Sequence, residues 1–258
     1  MGVRRAGTGF AFLIVALALA ACGGEGGLLD RLAAGETGKV ASVQSGDVFT
    51  LENGLVVRVS GIETPWMEEP GGPRARDELS RLVQGRSVQL FYGGARRDAR
   101  GRALAQVRLV DNRRWVEGTM LSDGWARVRT FPDNRALDRP MLEDEARARM
   151  ARRGLWALED YEVRLPEEIT PDRRGYQIVE GRVLSVTPGR TGVYLDFRPD
   201  RRGFAALIDP RAVADFRAAG IAPDILRGRL IRVRGIVDRD GLMKLDHPEP
   251  VEVLKEKS

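Results

Sequence analysis

Between residues 45 and 102, carboxylates and guanidinium groups collect at the ends of alternating apolar segments. Ser45, Gly46 and Asp47 put a carboxylate in a tight turn, and Arg58 lies on the β-patterned run that follows. Gly61, Ile62, Glu63, Thr64 and Pro65 end that run with a second carboxylate, and Asp98, Ala99, Arg100, Gly101 and Arg102 open a later strand with a basic turn. Carboxylates hold hard cations, and guanidinium forks match phosphate oxygens two at a time. Phosphodiester hydrolysis needs both kinds of group and a third that activates water. Taken singly, Asp47 reads as an Asx turn, Arg58 and Arg102 as solvated cations and Glu63 as a loop cap. Their joint order and spacing point to a site.

The elements that must hold these residues are mainly β. Residues 38–62 alternate apolar and polar positions around Asn53 and Gly54, a strong hairpin signal. A helix is expected over 74–84, with Ala75, Leu79, Leu82 and Val83 on one face and Gly85 as its stop. Strands resume at 87–92 and 103–110; a short helix at 116–121, a strand at 125–128 and a helix at 139–153 complete the unit. The last helix is basic through Arg147, Arg149, Arg152 and Arg153, and is expected to pack through Met141, Leu142, Ala146 and Met150. Strands with a few irregularly placed helices indicate an α+β, mainly β barrel rather than a parallel sheet.

Residues 159–175 hold Pro166 and Pro171 among an excess of acids and read as a linker. Beyond it, 178–186, 193–197, 205–208, 230–237 and 242–245 are expected strands, with one helix near 211–219. Gly38-Lys39-Val40-Ala41-Ser42-Val43 is echoed by Gly181-Arg182-Val183-Leu184-Ser185-Val186, and Gly85-Arg86-Ser87-Val88 by Gly228-Arg229-Leu230-Ile231. Both echoes have the same offset, which predicts two related five-stranded OB-type barrels, the second smaller and spanning 176–254.

In order and spacing, residues 38–158 resemble the staphylococcal-nuclease-like, or thermonuclease, family. That family carries a glycine and aspartate at its first turn, then an arginine, then an aspartate, threonine or alanine, proline, glutamate run. An aspartate, two residues, glycine, arginine turn precedes a later strand. The resemblance implies a five-stranded OB-type barrel with three helices. It also implies that Asp47 and Glu63 hold Ca2+ through their carboxylates, with the Thr64 carbonyl as a further ligand, and that Arg58 and Arg102 contact the scissile phosphate. Glu63 stands where the family usually has aspartate, and Val48 replaces a common threonine. Trp66 occupies the place of the family's general base, and tryptophan cannot accept a proton. Glu68 or Glu69 is the candidate substitute.

Composition bounds the rest. With 43% apolar and 31% charged residues the chain is ordinary for a globular protein. Its net charge of +5 comes almost wholly from arginine, since Lys39, Lys244, Lys255 and Lys257 are the only lysines. Arg4 and Arg5, an apolar run over 10–19 and Ala20, Ala21, Cys22 read as a signal peptide of residues 1–22 ending in a lipidated Cys22, with 23–37 as a flexible tether. Such an anchor implies the bacterial cell envelope: the outer membrane facing the periplasm in a Gram-negative organism, otherwise the exterior of the cell membrane. His247 is the only histidine, so a zinc centre is not expected and a hydrogen-bonded strand-end role is. All four tryptophans, Trp66, Trp115, Trp125 and Trp156, read as packing residues, though Trp66 beside the site could stack on a base. The expectation is a monomeric, envelope-anchored, calcium-dependent nuclease acting on DNA or RNA without a nucleotide cofactor. Arg100 and Trp66, and Tyr194 and Phe197 of the second unit, would assist in holding the strand. The alternative is a catalytically impaired nuclease-like lipoprotein that binds nucleic acid or another partner.

Overall fold

One long strand, β1 (Ala33–Ser45), organises the first half of the chain. In this computed structural model, which describes Gly2 and residues 27–170, 175–199 and 203–255, β1 pairs on both edges. The rest of the expected signal segment, with Cys22, lies outside the described residues. Residues 40–45 of β1 pair with β2 (Val48–Leu51), and residues 33–39 pair with β5 (Ser87–Tyr92). Register shifts between Ala34 and Thr37 and again within 40–45 bend the strand, as bulges do. β3 (Val56–Val59) pairs with β2 and, in parallel, with β6 (Ala103–Leu109), which returns to β5. The result is the expected closed five-stranded barrel, in the order β1-β2-β3-β6-β5. The hairpin at Asn53 and Gly54 forms as read, with Gly54 at φ 84°. Leu29 is fully buried and β1 begins at Ala33, so the barrel takes in residues that composition placed in the tether.

Alternation puts Val40, Phe49, Leu51, Val57, Val59, Leu90 and Val107 inside, each worth about 1.5–3 kcal/mol of burial. α1 (Gly72–Val83) covers the barrel with the predicted face of Ala75, Leu79, Leu82 and Val83 and ends before Gly85, at φ 70°. α2 (Val116–Ser122) and α3 (Asp138–Met150) complete the three helices. A two-stranded ribbon of β4 (Ile62–Glu63) and β7 (Arg127–Val128) projects beside them. Of the face expected for α3, Met141 is buried and Leu142 partly so, but its other buried residues are Asp138, Asp144, Glu145 and Ala148, while Met150 is 77% exposed.

The second half is not a second barrel. Its strands are β8 (Gly175–Arg182), β9 (Ser185–Gly189), β10 (Gly192–Asp196), β11 (Ala205–Ile208), β12 (Leu230–Val237), β13 (Leu242–Leu245) and β14 (Val251–Val253), with α4 (Val213–Ala218) between β11 and β12. They form one sheet in the order β14-β12-β13-β11-β10-β9, with β8 also paired to β12, and the sheet does not close. The reason lies at Val183 and Leu184. Where β1 runs on unbroken to serve both edges, the corresponding stretch splits into β8 on β12 and β9 on β10. The echo is nonetheless physical. Gly38 pairs with Val88 and Gly181 with Ile231; Val40 N–H donates to the Arg86 carbonyl and Val183 N–H to that of Arg229, both at 2.9 Å.

The two halves dock through charged and aromatic groups. Tyr176 and Ile178 of β8 bury against Ala148 and Trp156. The Arg127 guanidinium lies between the rings of Tyr161 and Tyr176, 4.9 and 4.7 Å from their centroids. Glu145, fully buried, accepts from Val128 N–H at 2.9 Å and pairs with Arg234 of β12 at 2.5 Å. The expected linker is partly built in, since Arg164 exchanges backbone hydrogen bonds with Ile178 and Glu180. Among the described residues, no helix is long and apolar enough to cross a membrane.

Candidate active site

The predicted chemistry-bearing turns meet at one mouth of the barrel because three ladders fix them there. β2 against β3 pairs Val48 with Arg58, and Val59 N–H donates to the Asp47 carbonyl at 2.8 Å, so Asp47 and Arg58 are neighbours. β3 beside β6 pairs Arg58 with Leu104, which brings up the turn ending in Arg102. β4 with β7 brings Glu63 opposite Arg127. The outcome is a cleft of about 550 Å³ whose lining includes Asp47, Arg58, Glu63, Thr64, Glu68 and Arg102, with Arg100 and Trp66 also contributing.

Arg58 bridges the two acids: its Nε is 3.5 Å from Asp47 Oδ2 and its Nη2 is 3.6 Å from Glu63 Oε2. Ser45 Oγ donates to Asp47 Oδ1 at 2.8 Å and orients it. Asp98 serves Arg102, accepting from its Nε at 2.7 Å and its Nη2 at 2.6 Å, and takes the backbone N–H groups of Arg100 and Arg102 on the other oxygen. Burial alone would raise the Asp98 carboxyl, but these donors outweigh it and hold it below its ordinary value, so it stays ionised beside Arg102. Arg102 thus spends two guanidinium donors on Asp98 and keeps others for a ligand.

A fourth guanidinium, not expected from the sequence, joins Arg58, Arg100 and Arg102. Arg129 Nη1 lies 2.7 Å from Glu63 Oε2, because Arg129 N–H donates to the Gly61 carbonyl and extends the short β4–β7 ribbon by one rung. The alternation of Arg127, Val128 and Arg129 after Trp125 was the signal available for it.

The loop after Thr64 separates the two candidate bases. Glu69 Oε2 accepts from the Trp66 N–H at 2.8 Å, so Glu69 closes its own loop and does not line the cleft, whereas Glu68 does. Trp66, at the usual base position, is 70% exposed on the rim, in contrast to Trp115 and Trp156, which are buried. Gly72 fixes this arrangement: a Cβ there would fall 1.8 Å from the Trp66 carbonyl oxygen. The two proposed ligand turns touch in the same manner, since a Cβ on Gly46 would meet the Thr64 Cβ and Oγ1 at 2.9 Å. With carboxylates on both sides of this contact and a buried Thr64, the donors are all oxygen, as a hard divalent cation requires.

Other expected contacts are not brought to the cleft. Phe197 is 7% exposed and packs on Phe204 in the core of the second half, and Tyr194 is half-buried with its hydroxyl 2.7 Å from that of Thr191. Neither belongs to the lining of the cleft. A separate group with metal-ligating character is present at the junction of the two halves: donor atoms of Asp138, His247 and Glu249 lie within 4.8 Å of one another. His247, expected in a hydrogen-bonded strand-end role, makes such bonds to Asp246 and Thr130.

Residues 56–158 match the family model described as staphylococcal nuclease homologue. Over 119 residues the chain is 32% identical to an Arabidopsis thaliana protein named Staphylococcal-like nuclease CAN1. That alignment takes in 46% of this chain and 34% of the Arabidopsis protein, so the chain spans about a third of its relative's length. The stretch from β3 through the three helices is therefore similar to staphylococcal nuclease, and the family match ends at residue 158, before the open sheet.

Proposed function

We propose that the first domain is a calcium-dependent phosphodiesterase acting on DNA or RNA. The observation that carries this reading is the gathering of Asp47, Arg58, Glu63, Thr64, Glu68 and Arg102 on one cleft by three separate strand ladders. Asp47 and Glu63, with the Thr64 carbonyl, would hold the cation, which on binding would supply Lewis-acid charge to the phosphate. Arg58 and Arg102 contact the phosphate and oppose the negative charge that grows on its oxygens. Arg129 positions Glu63 through their ion pair. Glu68 takes the proton from the attacking water, in place of the glutamate that Trp66 replaces. Trp66 and Arg100, both exposed on the cleft, bind the neighbouring base and phosphate.

A second reading, strand binding without turnover, is favoured by one observation: the exposed indole of Trp66 occupies the rim where the base is expected. Cleavage of labelled single-stranded DNA and RNA, with Ca2+ and with chelator, separates the two. The enzyme loses Ca2+-dependent cleavage in the Arg58→Ala, Arg102→Ala double variant. Salt-sensitive binding with no product from either protein would leave the binding module standing. The same reading locates the protein on the cell envelope through a lipid on Cys22. Labelling with palmitate that vanishes in Cys22→Ser tests that location.

A further inference from the structure

Asp138 is the first residue of α3 and is 4% exposed, yet neither of its carboxylate oxygens has a hydrogen-bond partner. A buried carboxylate with no donor is costly, because the water it gave up is not replaced. Two other metal-ligating residues from the second half face it. His247 and Glu249 belong to the connection between β13 and β14, and donor atoms of all three residues lie within 4.8 Å of one another. His247 is 2% exposed, and its ring is held on both sides: Nδ1 lies 2.6 Å from Asp246 Oδ1, and Nε2 lies 2.9 Å from Thr130 Oγ1. With its proton on Nδ1, directed at Asp246, the imidazole has its lone pair at Nε2, where it accepts from the Thr130 hydroxyl, and a cation would take the place of that hydrogen. A carboxylate behind a histidine is the arrangement that orients an imidazole toward a metal.

The geometry points to a divalent-cation site of zinc's class formed by Asp138, His247 and Glu249, joining the nuclease-like domain to the open sheet. A nitrogen donor beside two carboxylates suits zinc better than calcium, which takes oxygen alone. Bonds of about 2.1 Å in a tetrahedral site set donors about 3.4 Å apart, so closing the present separations needs side-chain shifts of no more than about 1.4 Å from the 4.8 Å limit. Among the described residues, Arg135 supplies the only cation paired with the cluster: its Nη1 is 3.5 Å from Glu249, but it is shared with Asp215 at 3.2 Å and makes no hydrogen bond to Asp138. The cation would therefore give Asp138 the partner it lacks, and it would do so without using the cleft acids Asp47 and Glu63.

The test is zinc retention by the purified full chain after chelator stripping, Zn2+ loading and dialysis, read by atomic emission and by thermal unfolding. One zinc per chain and a melting temperature raised by several degrees are expected for the wild type and for the Asp47→Asn, Glu63→Gln variant. Both effects should vanish in Asp138→Asn and in His247→Gln. Asp138→Asn removes a buried charge, so its zinc-free form should melt no lower than the wild type and remains a folded control. No zinc retained by the wild type would overturn the site, as would zinc retained by both Asp138→Asn and His247→Gln. Loss of zinc in Asp47→Asn, Glu63→Gln alone would place the ion in the cleft and equally overturn it.

Discussion

Replacing Arg58 by methionine should weaken catalysis and strengthen cation binding at the same time. Arg58 spans both proposed ligands, 3.5 Å from Asp47 and 3.6 Å from Glu63, so a cation entering between these carboxylates competes with its guanidinium. The three side chains retain between 13% and 24% exposure, which puts the pairs in the partly screened range. At about 0.2–1 kcal/mol per pair, removing the two Arg58 contacts is worth roughly 0.4–2 kcal/mol, or about 2- to 30-fold in Ca2+ affinity, with Glu63 still held by Arg129. Methionine keeps much of the volume and none of the charge. Loss of one charge-stabilising donor from the transition state costs about 100- to 1,000-fold in kcat. Calorimetric titration with Ca2+ gives the first quantity, and single-turnover cleavage at saturating Ca2+ gives the second. Ca2+ affinity that is unchanged or weaker in Arg58→Met would refute the competition, and with it the assignment of Asp47 and Glu63 as a shared ligand pair.

Glu68→Gln should lower kcat by about 100- to 10,000-fold, whereas Glu69→Gln, which disturbs only the tie to Trp66 N–H, should stay within about tenfold of wild type; cleavage rates of the two variants decide. Arg234→Met leaves Glu145 buried with Arg149 at 3.4 Å as its remaining cation. A loss near the lower end of about 3–5 kcal/mol is expected in urea unfolding, since one partner of a buried pair is removed. The Asp138 carboxyl is pushed up to about 7, first by burial and then by Glu249, against Arg135. The folded chain therefore binds more protons than the unfolded chain between about pH 4 and pH 7, and this residue's contribution to stability falls as pH rises through that window. In chelator, Asp138→Asn should raise the melting temperature more at pH 8 than at pH 5. Melting curves at the two pH values check the sign.

Much of the first domain could be read from its residues because its signals are local. Alternation of Val56 to Val59, the face of Ala75, Leu79 and Leu82, and the Asn53-Gly54 turn each specify an element without help from distant contacts. Arg129 was missed because its place depends on a two-residue ribbon whose partner, β4, lies more than sixty positions earlier. Glu145 and Asp138 were missed for a different reason: a carboxylate in a helix reads as solvent-facing until a partner such as Arg234 is brought to it by tertiary packing. Strand positions in the second half were also legible, but closure was not. Periodicity is the same on either side of Val183 and Leu184, and only the hydrogen bonds of those two residues decide whether the sheet returns on itself. Phe197 shows the limit of reading aromatics near arginines as a strand-binding surface, since its ring is consumed by the core.

The buried charges between the halves bear on how such a protein can be inherited. Arg127 held between Tyr161 and Tyr176, and Glu145 held by Arg234, are contacts in which each half supplies what the other has given up to water. A nuclease-like domain shuffled out alone would return these groups to solvent at little cost. The same domain recombined with an unrelated partner of similar shape would bury Glu145 with only Arg149, at 3.4 Å, in place of the closer Arg234. Lineages would thus keep the pair or shed the second half altogether, and exchange of one half for a stranger would be selected against even where the cleft itself is left intact.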